Sequence, residues 1–125
     1  MNNFLKVMVL MPALLFLVTG LRWLVAPAGV APMFGLSLEQ GLGLSTQVGD
    51  MTAFFLSLGL CILLALVTEQ RCWYYPPIML LSIAAFARLV AWLMHDAAFA
   101  VDMIVPEVLV SLVLLVASRR LPKAA

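Results

Sequence analysis

The run MTAFFLSLGLCILLALVT, residues 51–68, decides the fold class of this chain. It contains eighteen consecutive residues without a charge and ends at the polar triplet Glu69-Gln70-Arg71. Because an α-helix rises about 1.5 Å per residue, about 20 apolar residues cross the hydrocarbon core of a bilayer. We therefore interpret this run as a transmembrane helix.

Comparable apolar runs lie on both sides of it. Together they predict four spans, at residues 4–25, 50–68, 77–94 and 99–118. The paired prolines Pro76-Pro77 suit the first turn of the third span, where a missing amide hydrogen costs nothing. His95-Asp96 separates the third span from the fourth. The sequence thus predicts an all-α integral membrane four-helix bundle, a single transmembrane domain that comprises residues 1–125.

The composition agrees with a membrane protein and excludes some classes of function. The chain has 125 residues, of which 66% are hydrophobic and only 10% are charged, too few polar groups for the surface of a soluble domain. With a net charge of +1 it lacks the basic patch that holds a nucleic acid backbone, so we expect no nucleic acid partner. The spacing of Cys61 and Cys72 matches no metal or redox motif, and we predict no metal site.

The basic residues predict the orientation in the membrane. With four crossings, five of them fall on one side: Lys6, Arg71, Arg119, Arg120 and Lys123. The opposite loops contain only Arg22. The positive-inside rule then places both termini in the cytoplasm. The first run also resembles a signal peptide, with a cleavage site at Ala26-Pro27-Ala28, but its apolar stretch exceeds signal length.

The connection between the first two spans, residues 26–48, is the only long loop, and it is semi-apolar. We expect it to lie at the membrane interface and to cover the outer end of the bundle. Ser37 and Gln40 have the spacing of a capping box, which predicts a helical turn that begins at Ser37.

Two charged residues fall inside the predicted spans, where an unpaired charge costs several kcal/mol. Arg88 lies seven residues before His95, and Glu107 lies five residues after Asp102. Both should therefore lie about 10 Å below the outer surface of one antiparallel hairpin. We predict that Arg88 and Glu107 form an ion pair. Arg88, Trp92 and His95 also share one helical face by their spacing.

A second arginine and carboxylate could meet at the same end of the bundle. Arg22 closes the first span, while Gln47 and Asp50 open the second, with Asp50 as a residue of the helix N-terminus. Each hairpin then contributes an arginine from its first helix and an acid from its second. An Asp-Met pair also recurs, at residues 50–51 and 102–103. This pattern suggests a duplicated two-helix hairpin.

The polar candidates all fall in the outer half of the predicted bundle. They are Arg22, Gln47, Asp50, Arg88, Trp92, His95, Asp102 and Glu107. The inner half of every span is apolar. This asymmetry predicts a polar pocket that is open to the outside and closed towards the cytoplasm.

Several short motifs resemble those of a family of small bacterial four-helix membrane proteins of unknown function, allied to the DoxX-like superfamily. They are Gly20-Leu21-Arg22-Trp23-Leu24-Val25, Gln47-Val48-Gly49-Asp50 running into Phe54-Phe55-Leu56, Ala87-Arg88-Leu89 with Trp92, and Arg119-Arg120. The resemblance covers nearly the whole chain. It implies a four-helix fold in the bacterial inner membrane and, from named DoxX-like members, an association with quinone-linked oxidoreductase systems. It transfers no catalytic residue.

We favour a protein whose outer pocket binds a membrane lipid, a quinone or another small amphiphile through Arg88 or Arg22, or an accessory subunit of a membrane complex. One alternative is a proton-coupled carrier of small solutes, a homo-oligomer in which Asp50, Glu107 and His95 exchange protons. Another is a purely structural bundle fixed by a buried Arg-Glu pair. An enzyme is least favoured, because no nucleophile, metal set or phosphate loop accompanies the acids.

Small residues at helical spacing could support contacts with a second copy or with a membrane partner protein. The candidates are Gly59 in the second span and Ala84, Ala85 and Ala91 in the third.

Overall fold

The computed structural model describes residues 2–122 and contains five α-helices there. They are α1 (Asn2–Val25), α2 (Pro27–Val30), α3 (Leu42–Thr68), α4 (Tyr75–Met94) and α5 (Val101–Arg120), with 3₁₀ turns at Ala31–Phe34 and Arg71–Tyr74. Lys123, which contributed to the predicted orientation, lies outside the described residues.

Four helical segments are long and apolar enough to cross a membrane: Asn2–Val25, Leu42–Thr68, Arg71–Met94 and Val101–Arg120. Only 17–28% of the most apolar stretch of each is buried inside the protein. Because so much apolar surface faces outward, hydrocarbon is the solvent that suits this exterior. The prediction of an all-α four-helix membrane bundle is confirmed.

Helices α1 and α3 form the closest pair of the bundle. A Cβ atom added at Gly59 would lie 2.5 Å from Leu17 Cγ and 2.9 Å from the Ala13 carbonyl oxygen. A Cβ at Gly20 would lie 2.7 Å from Leu56 Cδ2. The contact with α3 moves from Leu56 to Gly59 as α1 is followed back from Gly20 to Ala13, so the two helices are antiparallel. Gly59 therefore faces α1 within the chain and is not available for the contact with a second copy that its spacing suggested; the homo-oligomer itself stays a prediction.

Helices α4 and α5 form the second antiparallel pair. The Arg71 Nε donates to the Ser118 carbonyl oxygen at 2.8 Å where α4 begins and α5 ends. The four long helices thus alternate in direction. We call the end that contains Asn2 and Arg120 the termini end. The opposite end, where α1 and α4 finish, is the polar end.

The connection from α1 to α3 folds back over the polar end. Val30 and Ala31 are fully buried, and the Phe34 ring packs against Phe55 at a centroid distance of 5.3 Å. The predicted helical turn at Ser37 is wrong, because residues 36–40 are not helical. Helical structure instead begins at Pro27, since a proline is tolerated in the first turn of a helix.

Two helices begin elsewhere than the sequence suggested. Helix α3 begins at Leu42, eight residues before the predicted start of the second span. Helix α5 begins at Val101, and Phe99 lies in the preceding non-helical segment. There its ring packs against Trp92 with centroids 4.7 Å apart.

Candidate functional site

A cavity of about 590 Å³ lies in the polar half of the bundle. All four long helices and the turn Ala31–Phe34 contribute to its walls. Its polar lining consists of Thr19, Asp50, Arg88, Asp102 and Glu107. The ten other lining residues are all apolar, so the cavity is less polar than the pocket that the sequence predicted in this half.

Arg88 and Glu107 form an ion pair in the cavity wall, as predicted. The Arg88 Nε donates to Glu107 Oε1 at 3.0 Å, and the two side chains are 33% and 12% exposed. Each lies six residues, about 9 Å along the axis, from the polar end of its helix. The short connection between α4 and α5 sets this register. Because Arg88 uses only Nε, its two terminal nitrogens have no hydrogen-bond partner within residues 2–122.

Two further carboxylates reach the same cavity. Asp102 lies in the first turn of α5, where the helix dipole favours a negative charge. Asp50 was predicted at a helix N-terminus, but α3 begins at Leu42 and places Asp50 more than two turns inside the helix. Both aspartates are exposed. The cavity therefore has one cation, Arg88, for three carboxylates.

The predicted pair of Arg22 and Asp50 does not form within the described residues. The Arg22 guanidinium instead approaches the Gly29 carbonyl oxygen and the Met33 sulfur, each at 3.4 Å. The loop offers these acceptors close to the end of α1, so Arg22 fastens the loop and does not line the cavity. Because the two hairpins use their arginines differently, the arginine and acid pairing does not support a duplicated hairpin.

Gln47 also holds the loop and does not line the cavity. Its Nε2 donates to the Ser37 carbonyl oxygen, and its Oε1 accepts from the Glu39 amide, both at 2.9 Å. These two bonds tie the non-helical segment to the first turns of α3. Gln47 is thus a structural residue of the cover over the polar end.

Trp92 and His95 share their helical spacing with Arg88 but do not line the cavity. Trp92 is 43% exposed and packs on Phe99. His95 follows the last residue of α4 and is exposed. His95 lies beyond the end of α4 at Met94, and Trp92 packs on Phe99, so of these three residues only Arg88 lines the cavity.

Sequence reasoning missed the aromatic part of the cavity. Phe16, Phe34, Phe54 and Phe55 all line it, and Phe55 contacts each of the other three rings. Trp23, which is fully buried, packs against the Phe34 ring. The pair Phe54-Phe55 was visible in the sequence, but the partners from α1 and from the loop come together only in the folded chain.

Metal binding has no support in the described part of the chain, residues 2–122. No group of three or more His, Cys, Asp or Glu side chains is placed there so that it could hold a metal ion. The three carboxylates of the cavity belong to α3 and α5 and do not form such a group.

Comparison with models of known protein families, with curated proteins and with solved structures gave no match. The class of this protein, an all-α membrane bundle with a partly charged, open cavity, therefore follows from its own residues.

Proposed function

We propose that this protein binds an amphiphile, such as a membrane lipid or a quinone, in the cavity of the polar half. The observation that supports it most is the combination of aromatic walls with an Arg88 side chain that still has free donors. A volume of about 590 Å³ lies within the range of small-molecule sites, roughly 300–1,000 Å³. Apolar walls with a few convergent polar groups are also typical of such sites.

The charged groups indicate which head groups fit. The free nitrogens of Arg88 would donate to a phosphate, carboxylate or carbonyl oxygen of the ligand. Asp50 and Asp102 would accept from an ammonium or a hydroxyl group of the same molecule. A head group that combines an acceptor with a donor therefore matches this lining best.

The location proposed for the protein is the bacterial inner membrane. The termini end includes Lys6, Arg71, Arg119 and Arg120, and the positive-inside rule would place it in the cytoplasm. The cavity would then open towards the outer leaflet. The resemblance to the DoxX-like superfamily favours a quinone, whose carbonyl oxygens would accept from Arg88 but which has no donor for the two aspartates. An accessory role in a membrane complex is compatible with either ligand.

A purely structural role for the ion pair is the main competing hypothesis, favoured by the direct 3.0 Å contact. Removing one partner of a buried pair is destabilising because it leaves an uncompensated charge, whereas replacing both partners leaves no such charge. The double variant Arg88→Gln/Glu107→Gln can therefore separate a role in folding from a role in binding.

Native mass spectrometry after gentle extraction from the membrane tests the proposal. We expect the wild-type protein to retain a lipid or quinone, and the double variant to lose it while its melting temperature changes little. Arg119→Gln, an exposed position on α5 far from the cavity, serves as the matched control and should retain the ligand. If the double variant keeps the same ligand as the wild type, the cavity is not the binding site.

The alternative hypothesis of a proton-coupled carrier is tested by a flux assay. Reconstituted protein would have to show solute flux that is driven by a pH gradient and lost in Glu107→Gln. Proteoliposomes without such flux, from protein that still retains its amphiphile, would leave binding as the function.

A further inference from the structure

We infer that the ligand carries a long hydrocarbon chain, and that this chain leaves the cavity sideways between α1 and α5 into a groove on the lipid-facing surface. This inference rests on the proposed function, because it identifies the tail of the amphiphile whose head occupies the cavity.

The groove is a second concave region of about 620 Å³, formed by α1 and α5 alone. Met8, Met11 and Pro12 line it from α1, and Val110 and Val113 line it from α5. No charged residue contributes to it. Because both helices are long and apolar enough to span a membrane, a hydrocarbon chain is the occupant that its chemistry suits.

One residue joins the groove to the cavity. Leu15 lines both, so the two spaces adjoin at its side chain. Leu15 is 64% exposed, which leaves its rotamer free to change without repacking the core. The side chain of Leu15 is thus placed to open or close a lateral passage.

The order of the two spaces matches the order of groups in a membrane amphiphile. Helix α5 runs from the polar end to the termini end, and Glu107 precedes Leu109 and Val113 along it. The groove therefore extends from the ion pair towards the centre of the bilayer. From Val18 to Met8 it follows α1 for about 15 Å. A head at the ion pair would direct its chain along this path.

The walls of the groove can adapt to a chain. Pro12 cannot donate to the Met8 carbonyl oxygen, so α1 lacks one helical hydrogen bond at the groove. Methionine side chains, here Met8 and Met11, are unbranched and fill irregular spaces. The contact of α1 with α5 is also less extensive than the contact of α1 with α3, which makes this seam the easier one to part.

A larger side chain at Leu15, where the cavity meets the groove, tests the lateral passage without knowledge of which ligand is bound. In Leu15→Trp the larger side chain would occupy the space between cavity and groove. Leu21→Trp adds the same side chain to α1 at an exposed position, 51% accessible, that lines neither space. We expect Leu15→Trp to reduce the retained ligand in native mass spectrometry about tenfold, equivalent to losing the burial of a few methylene groups. Leu21→Trp should retain it as the wild type does.

A photoactivatable lipid then locates the chain. Phosphatidylethanolamine with a diazirine in its acyl chain, incorporated into nanodiscs, provides an acceptor for Arg88 and an ammonium for the aspartates. We expect adducts on Met11 and Val113 in excess of those on Ile83 and Phe86, which are exposed on α4 outside the groove. The excess should disappear in Arg88→Gln/Glu107→Gln, because the chain is held there by its head.

The outcomes separate the two proposals. If the double charge variant loses the retained ligand but Leu15→Trp keeps it, or the groove adducts do not exceed those on α4, the lateral passage is wrong and the binding cavity stands. If the wild type retains no ligand and the adducts are the same with and without the ion pair, both proposals fail.

Discussion

The two antiparallel helix pairs of this bundle are joined by different means. Helices α1 and α3 approach so closely that Gly20 and Gly59 leave no room for a side chain, and their contact is apolar. Helices α4 and α5 are joined by Arg71 to a backbone carbonyl at one end and by the Arg88–Glu107 pair near the other. The close-packed apolar groups of the first contact leave no hydrogen-bond donor or acceptor that could bind a ligand. The second leaves donors on Arg88, and it lies in the cavity wall.

The function should therefore be sought at the contact between α4 and α5. A contact between glycine and leucine can only stabilise the fold. A partly exposed guanidinium beside a carboxylate can stabilise the fold and also bind a ligand. Substitutions in the two pairs should accordingly differ in kind, with α1–α3 changes affecting stability and α4–α5 changes affecting stability and binding together.

The largest effect is expected at the glycine contact. Gly59→Leu would place its Cβ within 3 Å of Leu17 and of the Ala13 backbone, and backbone atoms cannot move aside cheaply. We expect a loss of at least about 3 kcal/mol in the free energy of unfolding, measured by denaturation in detergent micelles. The matched control is Gly49→Ala, also in α3, where an added Cβ meets nothing within 4 Å. It should stabilise the helix by up to about 1 kcal/mol, and equal losses in both variants would contradict the close contact.

A smaller effect is expected at the ion pair. Glu107→Gln alone leaves Arg88 without its counter-charge, and because Arg88 is 33% exposed, we expect a cost of about 2 kcal/mol, below the roughly 3–5 kcal/mol of fully buried pairs. Arg88→Gln in the same background should restore part of it. A double-mutant cycle measures the coupling between the two side chains. Strictly additive losses would mean that the two side chains do not stabilise each other.

The smallest effect is expected at the cover of the polar end. Gln47→Ala removes two hydrogen bonds to the loop, each contributing about 0.5 kcal/mol because both are exposed to solvent. Amide hydrogen exchange of residues 36–41 should become faster, while α4 and α5 stay unchanged. Gln40→Ala, in the loop itself, removes an amide side chain for which the structure shows no hydrogen bond and should leave exchange unaltered. Faster exchange in both variants would show that Gln47 does not hold the loop.

The amino-acid sequence by itself determined the four spans, because a bilayer requires long uncharged runs and a helix has a constant rise per residue. The sequence also predicted the Arg88–Glu107 pair, because a short connection leaves an antiparallel hairpin little freedom in register. The positions of Arg88, Glu107 and Asp102 in the bundle could therefore be predicted by counting residues along the hairpin.

The remaining features depend on contacts between residues that are distant in the chain. Residues 26–41 form a long connection whose path no local rule specifies, so the start of α3 at Leu42 and the partners of Arg22 and Gln47 could not be counted from the sequence. The inward direction of Gly59 depends on the rotation of α3 about its axis, which contact with α1 sets. The aromatic walls of the cavity are likewise made by residues distant in the chain. A periodic pattern specifies a helix, whereas its neighbours specify which face is buried.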